Sequence, residues 1–372
     1  MLRWLRRLLV ATVVLAALAF GGVGWYYADE ILVPAPPAAP SYETRVEEVG
    51  RGRVVLAPTD AATQTGTWGL AFADGYARVG DDLDDGPRVV RPVEEVDGLP
   101  TAGQAVHVDG TAYPDDPDDA DFGFAVTEVL VEGPLGRYPA WFVPGRTKTW
   151  AIFVHGRGTP RSECFRLLPT FVEAGLPSLC VTYRNDTGAP ASPDGLYHQG
   201  DTEWQDVAAA VDHAQANGAE RVVLIGYSMG GQVTANFLRR SDDADDVAAV
   251  IWDAPLLDWG PVLRLAADDR GVPRWVVPVG MFVSGLRARL AYDDLDQVAN
   301  ADEFDVPILL FHGTDDTTVP ASQSRGLAAA RPDLVTYIEV ADADHVRAWN
   351  AAPRRYERAV RRFLGEALLG TG

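Results

Sequence analysis

The segment 222–238, VVLIGYSMGGQVTANFL, limits the possible fold more than any other part of the chain. It begins as an apolar run typical of a buried strand and ends with the residue spacing of a helix. Between the two, residues 226–230 match G-x-S-x-G, a turn so sharp that Gly226 and Gly230 are needed to avoid collisions around Ser228. The segment therefore predicts a strand, a strained turn that exposes the Ser228 hydroxyl as a nucleophile, and a helix.

After Phe124 the sequence alternates between apolar strands and helical segments, which is typical of a parallel α/β sheet. We predict one domain over 123–372 with a mostly parallel, eight-stranded sheet. The predicted strands cover 126–131, 138–143, 150–155, 178–183, 221–226, 247–253, 306–312 and 334–341. The predicted helices cover 161–173, 203–217, 229–239, 322–330 and 354–368.

One long segment, residues 255–304, interrupts this alternation. It carries many large apolar side chains, among them Trp259, Leu263, Trp275 and Phe282. The segment is too long for a simple connection between two strands. We therefore expect a cap that folds over the carboxyl ends of the strands, where open α/β sheets bind ligands.

Residues 43–122 differ from the rest of the chain because turn residues separate short apolar runs that have no helical period. They predict a small β-rich module. Its acidic clusters, DDLDDG and PDDPDDAD, lack the ligand spacing of a calcium loop. We interpret them as solvated loops and expect no metal site, and the sequence assigns no role to the module.

The amino terminus carries three arginines, at positions 3, 6 and 7, followed by an uncharged run over 8–27. We predict a transmembrane anchor over 1–28 with the arginines on the cytoplasmic side, then a proline-rich linker over 29–42. The chain would then be a single-pass protein of the cell membrane with its folded part outside the cytoplasm. A cleaved signal peptide, for which Ala17 and Ala19 fit the cleavage pattern, and a buried helix are the alternatives.

Net charge and cysteine content bear on two questions: which partners the protein binds, and whether its compartment is oxidising. The formal net charge is -21 and Lys148 is the only lysine, which argues against nucleic acid, a partner that binds basic patches. Two cysteines, Cys164 and Cys180, are too few for a disulfide scaffold or a paired-cysteine zinc module. Buried free thiols are the main interpretation, with a disulfide as the alternative outside the cytoplasm.

A nucleophilic serine needs a base, and the base needs an orienting acid. His345, in EVADADHVRAW, is the best base because it follows the last predicted strand and precedes the last helix. Asp316, in LLFHGTDDTTVP, is the preferred acid, with Asp315 as a shift of one residue. Asp253, at the end of the strand VIWD, is the alternative acid.

The oxyanion of a tetrahedral intermediate needs backbone N–H donors aimed at the developing charge. The turn FVHGRGTP, with Gly156 at its start, offers the N–H of Arg157. The residue after the nucleophile, Met229, offers the second. This chemistry requires no cofactor and no metal, and we expect neither.

Four motifs together resemble the α/β-hydrolase superfamily, and in particular its Bem46-like and serine aminopeptidase (prolyl-oligopeptidase-like) branch. They are H-G-x-G at 155–158, G-Y-S-M-G-G at 226–231, H-G-x-x-D-x-x-V-P at 312–320 and D-H at 344–345. The resemblance covers the chain from about residue 126 onward. It implies the α/β-hydrolase fold, a triad of Ser228, Asp316 and His345, and an oxyanion hole at Arg157 and Met229.

The leading functional hypothesis is a serine hydrolase that cleaves small carboxylic esters through an acyl-enzyme. The apolar cap favours acyl or aryl groups. A serine peptidase acting on short peptides with the same triad is the alternative, in which Asp186, Asp268 or Asp269 would hold the substrate amine. A non-catalytic binding protein on this scaffold would be expected to have a broken triad, whereas every part is present here.

Overall fold

The computed structural model describes residues 2–34, 39–81, 83, 86 and 88–369. Part of the predicted proline-rich linker, residues 35–38, lies outside these ranges, as do residues 82, 84 and 85 of the DDLDDG cluster. The described chain consists of an amino-terminal helix, a closed β-barrel, and an eight-stranded sheet with helices on both faces.

The amino terminus forms a helix, α1 (Leu2–Leu32), but the prediction of a transmembrane anchor over 1–28 is wrong. Across the described ranges, no helix has both the length and the apolar character required to cross a membrane. The helix does not end with the uncharged run but continues through Asp29 and Glu30, and its last turn packs in a hydrophobic cluster with Leu256 and Trp259. Membrane association through this helix therefore has no support.

The β-rich segment folds as a closed barrel in the order β1-β2-β5-β4-β3-β6. Closure leaves no strand edge exposed to another chain. Alternate side chains fill the interior, where Val46, Val54, Leu70 and Val106 are fully buried or nearly so. The strands are β1 (Thr44–Gly50), β2 (Arg53–Leu56), β3 (Trp68–Phe72), β4 (Gly75–Val79), β5 (Val89–Asp97) and β6 (Ala105–Asp109).

The second sheet has the eight strands and the mostly parallel character that the sequence predicts. Its order is β14-β13-β12-β11-β9-β10-β8-β7, in which β8 runs antiparallel to both of its neighbours, β10 and β7, and all other neighbouring strands are parallel. The strands are β7 (Thr127–Gly133), β8 (Gly136–Val143), β9 (Thr149–Val154), β10 (Ser178–Val181), β11 (Arg221–Tyr227), β12 (Val247–Asp253), β13 (Ile308–Gly313) and β14 (Val335–Val340).

Helices cover both faces of this sheet, which explains why its central strands are apolar throughout. One face packs on α3 (Trp204–Ala216), α4 (Met229–Arg240) and α7 (Ser322–Ala330). The other packs on α2 (Leu168–Ala174), α8 (Ala348–Ala351) and α9 (Pro353–Leu369). Between β12 and β13 the chain forms α5 (Trp259–Asp269) and α6 (Val276–Ala288), which lie in the segment predicted as a cap.

The main interpretation of the two cysteines as buried free thiols is wrong, because Cys164 and Cys180 form a disulfide. Cys164 belongs to a short 3-10 helix (Arg161–Arg166) that packs back against β10, the strand that contains Cys180. The sequence separation of 16 residues carried no information about this packing.

We expect loss of this disulfide to lower the free energy of unfolding by about 3 kcal/mol, because the bond closes a short loop in the unfolded chain. Urea unfolding with and without a reductant measures the effect. The double variant Cys164→Ala/Cys180→Ala is the control, since a reductant should leave its midpoint unchanged. An equal midpoint for the oxidised and reduced wild-type protein would contradict the expectation.

Candidate active site

Ser228 occupies the sharp turn between β11 and α4. Its backbone has φ 49° and ψ -115°, a conformation that is costly for a residue with a side chain. Three backbone hydrogen bonds hold it there: the Ser228 N–H donates to the carbonyl of Asp253 at 3.1 Å, and the N–H groups of Leu256 and Gly231 donate to the carbonyl of Ser228 at 2.9 and 3.0 Å. Strain of this kind is characteristic of a nucleophile that projects from the top of a sheet.

The glycines of the turn are required by close approach of the backbone. A Cβ atom at Gly230 would lie 2.1 Å from the carbonyl oxygen of Val154, at the end of β9. A Cβ atom at Gly226 would lie 2.7 Å from the carbonyl oxygen of Gly230. The start of α4 therefore packs directly against the end of β9, and this packing brings the loop after β9 next to Ser228.

Ser228, His345 and Asp316 form one chain of hydrogen bonds. His345, in the loop after β14, has Nε2 2.8 Å from the Ser228 Oγ and Nδ1 2.8 Å from an Asp316 carboxylate oxygen. These distances fit the tautomer in which Nδ1–H donates to Asp316 and Nε2 accepts from the serine hydroxyl. The three residues come from loops at the carboxyl ends of β11, β13 and β14.

The Asp316 side chain is fully buried and ionised. Its carboxylate accepts hydrogen bonds from the N–H groups of Thr318 and Val319 at 2.8 and 2.7 Å, in addition to that from His345. A ring nitrogen of His312 lies 3.1 Å away. Burial alone would raise the pKa of Asp316, but the contacts with the two histidines hold it well below its usual range.

The other two candidate acids lie elsewhere. Asp315 is exposed and accepts a hydrogen bond from the hydroxyl of its neighbour Thr314. Asp253 is 2% exposed and lies on the face of the sheet that packs on α9, near Tyr227 and Tyr356. Burial raises the pKa of Asp253 to about 6. The structure therefore brings neither residue to His345.

We expect the buried Asp253 carboxyl to make the protein less stable as the pH rises. Its folded-state pKa lies above its ordinary value, so the protonated form stabilises the fold below about pH 4, and this stabilisation is lost as the pH rises through about 6. The shift corresponds to about 3 kcal/mol. Free energies of unfolding, measured with urea over this pH range, should fall much less for Asp253→Asn than for wild type. Those of Asp315→Asn should follow wild type. Identical pH profiles for wild type and Asp253→Asn would contradict the expectation.

A buried carboxylate that the sequence analysis missed organises the loop after β9. Glu163 accepts hydrogen bonds from the Gly156 N–H at 2.8 Å and from the Thr159 hydroxyl at 3.1 Å, and it pairs with Arg166 at 3.3 Å. A Cβ atom at Gly156 would lie 3.2 Å from the Ser228 Cβ, so this loop touches the nucleophile. The available signal was a pair of opposite charges three residues apart in the segment SECFR.

Arg157 and Met229 are the two residues predicted to donate to the oxyanion. Both line a cavity of about 300 Å³ together with Ser228 and His345. Met229 is the first residue of α4, so its N–H has no acceptor within the helix. The helix dipole adds a partial positive charge at this end. The cavity can therefore stabilise a negative charge that develops beside Ser228.

Three acids were candidates for binding a substrate amine: Asp186, Asp268 and Asp269. Each is either paired with another side chain or exposed. Asp186 binds the buried His155 ring at 2.8 Å. Burial alone would lower the pKa of His155, but Asp186 raises it. Asp268 pairs with Arg274 at 2.7 Å, and Asp269 is exposed.

A mostly parallel sheet, a serine in a strained strand-to-helix turn and an inserted cap together define a hydrolase of the α/β class. The comparison with protein families agrees, since residues 151–359 match the model described as the alpha/beta hydrolase family. The chain belongs to that family. Residues 45–109, which form most of the barrel, match a domain of unknown function, DUF8805.

The individual relatives have low sequence identity to this chain. The YfhR protein of Salmonella typhimurium is 25% identical over 250 residues, which cover 61% of this chain and 77% of YfhR. The YqkD protein of Bacillus subtilis is 23% identical over 226 residues, with 59% and 72% covered.

Two solved structures share the fold. An esterase of Pyrococcus furiosus has a TM-score of 0.54 at 19% identity and covers 66% of this chain and 93% of its own. A puromycin-hydrolysing peptidase of Mycobacterium tuberculosis also has a TM-score of 0.54, at 20% identity, and covers 89% of this chain and 56% of its own. At these identities the likeness concerns the fold alone.

Proposed function

We propose that this hydrolase cleaves carboxylic esters through an acyl-enzyme, with Ser228 as nucleophile, His345 as general base and Asp316 as the acid that orients it. The observation that carries the proposal is the continuous hydrogen-bond chain from the Ser228 hydroxyl through the His345 ring to the Asp316 carboxylate. A serine hydroxyl is a weak nucleophile, and this arrangement supplies the base that it lacks.

The reaction proceeds in two halves. Ser228 Oγ bonds to the ester carbonyl carbon while His345 takes the hydroxyl proton, and the N–H groups of Arg157 and Met229 stabilise the oxyanion. Collapse of the intermediate breaks the bond to the leaving oxygen, which receives the proton from His345 and departs as an alcohol. Water then attacks the acyl-enzyme with His345 again as base, and it releases the acid and restores Ser228.

Two features favour esters over peptides. The cavity at Ser228 is lined by apolar side chains of the cap, including Leu256, Trp259 and Val262. The Asp186 carboxylate pairs with the buried His155 ring, and neither Asp268 nor Asp269 is among the residues that line this cavity. A peptidase is the second candidate, since the fold of the puromycin-hydrolysing peptidase matches most of this chain.

Covalent labelling of the full chain with a fluorophosphonate probe tests the proposal. We expect labelling at Ser228, located by peptide mass spectrometry, and a higher kcat/KM for p-nitrophenyl esters than for aminoacyl p-nitroanilides. A preference for the anilides would favour the peptidase. Failure of the wild-type protein to react with the probe would mean that the scaffold is not catalytic.

We also infer that the protein acts outside the reducing cytoplasm. The disulfide between Cys164 and Cys180 supports this location, because such bonds persist in oxidising compartments. Rapid acid quenching of source cells followed by thiol alkylation would test it. Free thiols in the native protein would contradict the inference.

A further inference from the structure

A second cavity, of about 260 Å³, adjoins the one that contains Ser228. Four residues line both cavities, which are therefore adjacent: Arg157, Trp259, Val262 and Thr318. Beyond this junction the walls come from three helices, and most of the side chains are apolar. The further lining residues include Leu263 and Ala266 of α5, Val276, Val277 and Gly280 of α6, and Tyr27, Glu30 and Ile31 of α1.

The contribution of α1 is unexpected because this helix lies outside the segment that matches the hydrolase family. It packs on the cap helix α6 at close range. A Cβ atom at Gly24 would lie 2.6 Å from the Val283 Cγ2, and one at Gly280 would lie 3.3 Å from the Tyr27 Cβ. The glycines therefore allow the two helix backbones to approach, and Tyr27 closes the cavity on that side.

Polar contacts fix α1 to the cap as well. Asp29 forms an ion pair with Arg287 at 2.7 Å, and the Arg287 guanidinium lies 3.9 Å from the centre of the Trp25 ring. Ion pairs that are partly exposed contribute little each, so we assign the docking mainly to the buried side chains. These are Ala28, Ile31 and Leu32, all at most 5% exposed.

The carboxyl end of α1 is joined directly to the catalytic domain. The Arg157 guanidinium donates to the carbonyls of Glu30 at 3.0 Å and Val33 at 3.2 Å. The backbone N–H of Tyr197 donates to the carbonyl of Leu32 at 2.7 Å. Because the backbone N–H of Arg157 is a proposed oxyanion donor, the same residue connects α1 to the reacting centre.

We propose that α1 is a wall of the acyl pocket and that the substrate is an ester with an extended, uncharged aliphatic acyl chain. The proposal rests on the proposed ester hydrolysis at Ser228. The acyl chain runs from Ser228 past Arg157 and Trp259 into the cavity between α1, α5 and α6. The leaving oxygen must stay within reach of His345, which lines the first cavity and not the second, and we therefore place the acyl group, on the other side of the carbonyl carbon, in the second cavity.

Chain-length profiles of the full-length enzyme test the proposal. With p-nitrophenyl esters from acetate through butyrate, hexanoate and octanoate to decanoate, kcat/KM should rise by up to about fourfold per methylene until the cavity is filled, then level or fall. A second series varies the alcohol of acetate esters instead. A flat acyl profile, or a rise that follows the alcohol chain alone, would overturn the proposal.

Two substitutions on facing walls should move this optimum in opposite directions. Tyr27→Ala enlarges the cavity from α1, and the optimum should shift to longer chains. Ala266→Phe fills it from α5, and the ratio of octanoate to acetate kcat/KM should fall at least about tenfold. Val13→Ala, on the exposed part of α1, is the matched control and should leave the profile unchanged.

The outcomes separate this proposal from the proposed function. Fluorophosphonate labelling of Ser228 together with an unaltered optimum in Tyr27→Ala would overturn only the role of α1. Absence of labelling in the wild-type protein would overturn both. If Tyr27→Ala fails to fold, the wild-type acyl profile and Ala266→Phe still decide whether the cavity holds the acyl chain.

Discussion

Ser228→Ala should lower kcat for p-nitrophenyl esters by about 10⁶-fold and abolish fluorophosphonate labelling. The substitution removes the only atom that bonds to the ester carbonyl, while the oxyanion donors and the cavity remain. The residual rate should therefore still exceed that of the reaction in water. Steady-state kinetics at saturating ester, together with probe labelling, measure both effects.

The fold of Ser228→Ala should be retained, because alanine keeps the Cβ atom and the hydrogen bonds that hold the turn use the Ser228 backbone. Circular dichroism and thermal unfolding check this. Ser241→Ala is a suitable control, since this serine caps a short helix at the far end of α4 and should leave the activity unchanged. A Ser228→Ala enzyme that keeps substantial activity would point to a different nucleophile.

Asp316→Asn should lower kcat by about 10⁴-fold. An amide at this position cannot stabilise the positive charge that His345 acquires, and its NH₂ group favours the tautomer in which Nδ1 accepts. The imidazole would then present an N–H to Ser228 instead of a free electron pair. Kinetics across a pH range, at constant ionic strength, would measure the loss.

The two other carboxylates provide matched controls for this effect. Asp253→Asn and Asp315→Asn should keep the activity within a few-fold of wild type, because neither side chain contacts His345. All three substitutions replace a carboxylate by an amide of the same shape. A larger loss in Asp253→Asn than in Asp316→Asn would make Asp253 the acid and would contradict the arrangement proposed here.

The barrel lies closer to the reacting centre than its separate fold suggests. Buried Asn350, just after the His345 loop, donates to the carbonyls of Thr67 and Gly110 at 2.8 and 2.9 Å. Val346, next to His345, has φ 54°, which is strained for a β-branched residue. Its carbonyl accepts from the Arg166 guanidinium at 2.6 Å. Contacts from the barrel and from Arg166 thus converge on the loop that carries the histidine.

The positions of the sheet strands along the chain could be predicted because their signals are local. An apolar run, a glycine pair around a serine and a helical spacing each identify an element within a few residues. The same local reading failed at the amino terminus, where an uncharged run predicted a transmembrane anchor. What the helix does there depends on α6, more than two hundred residues further along the chain.

By itself the sequence determined the α/β architecture, the turn at Ser228 and the residues that could serve as base and acid. It left open whether Asp316 or Asp253 faces His345, because each lies near the carboxyl end of a strand and the contact with His345 depends on how the strands and loops pack. The tertiary structure decided that choice, the pairing of Cys164 with Cys180 and the docking of α1. The physical reason is that these features are contacts between segments far apart in the chain, and they form only where packing of the sheet, cap and barrel brings the segments together.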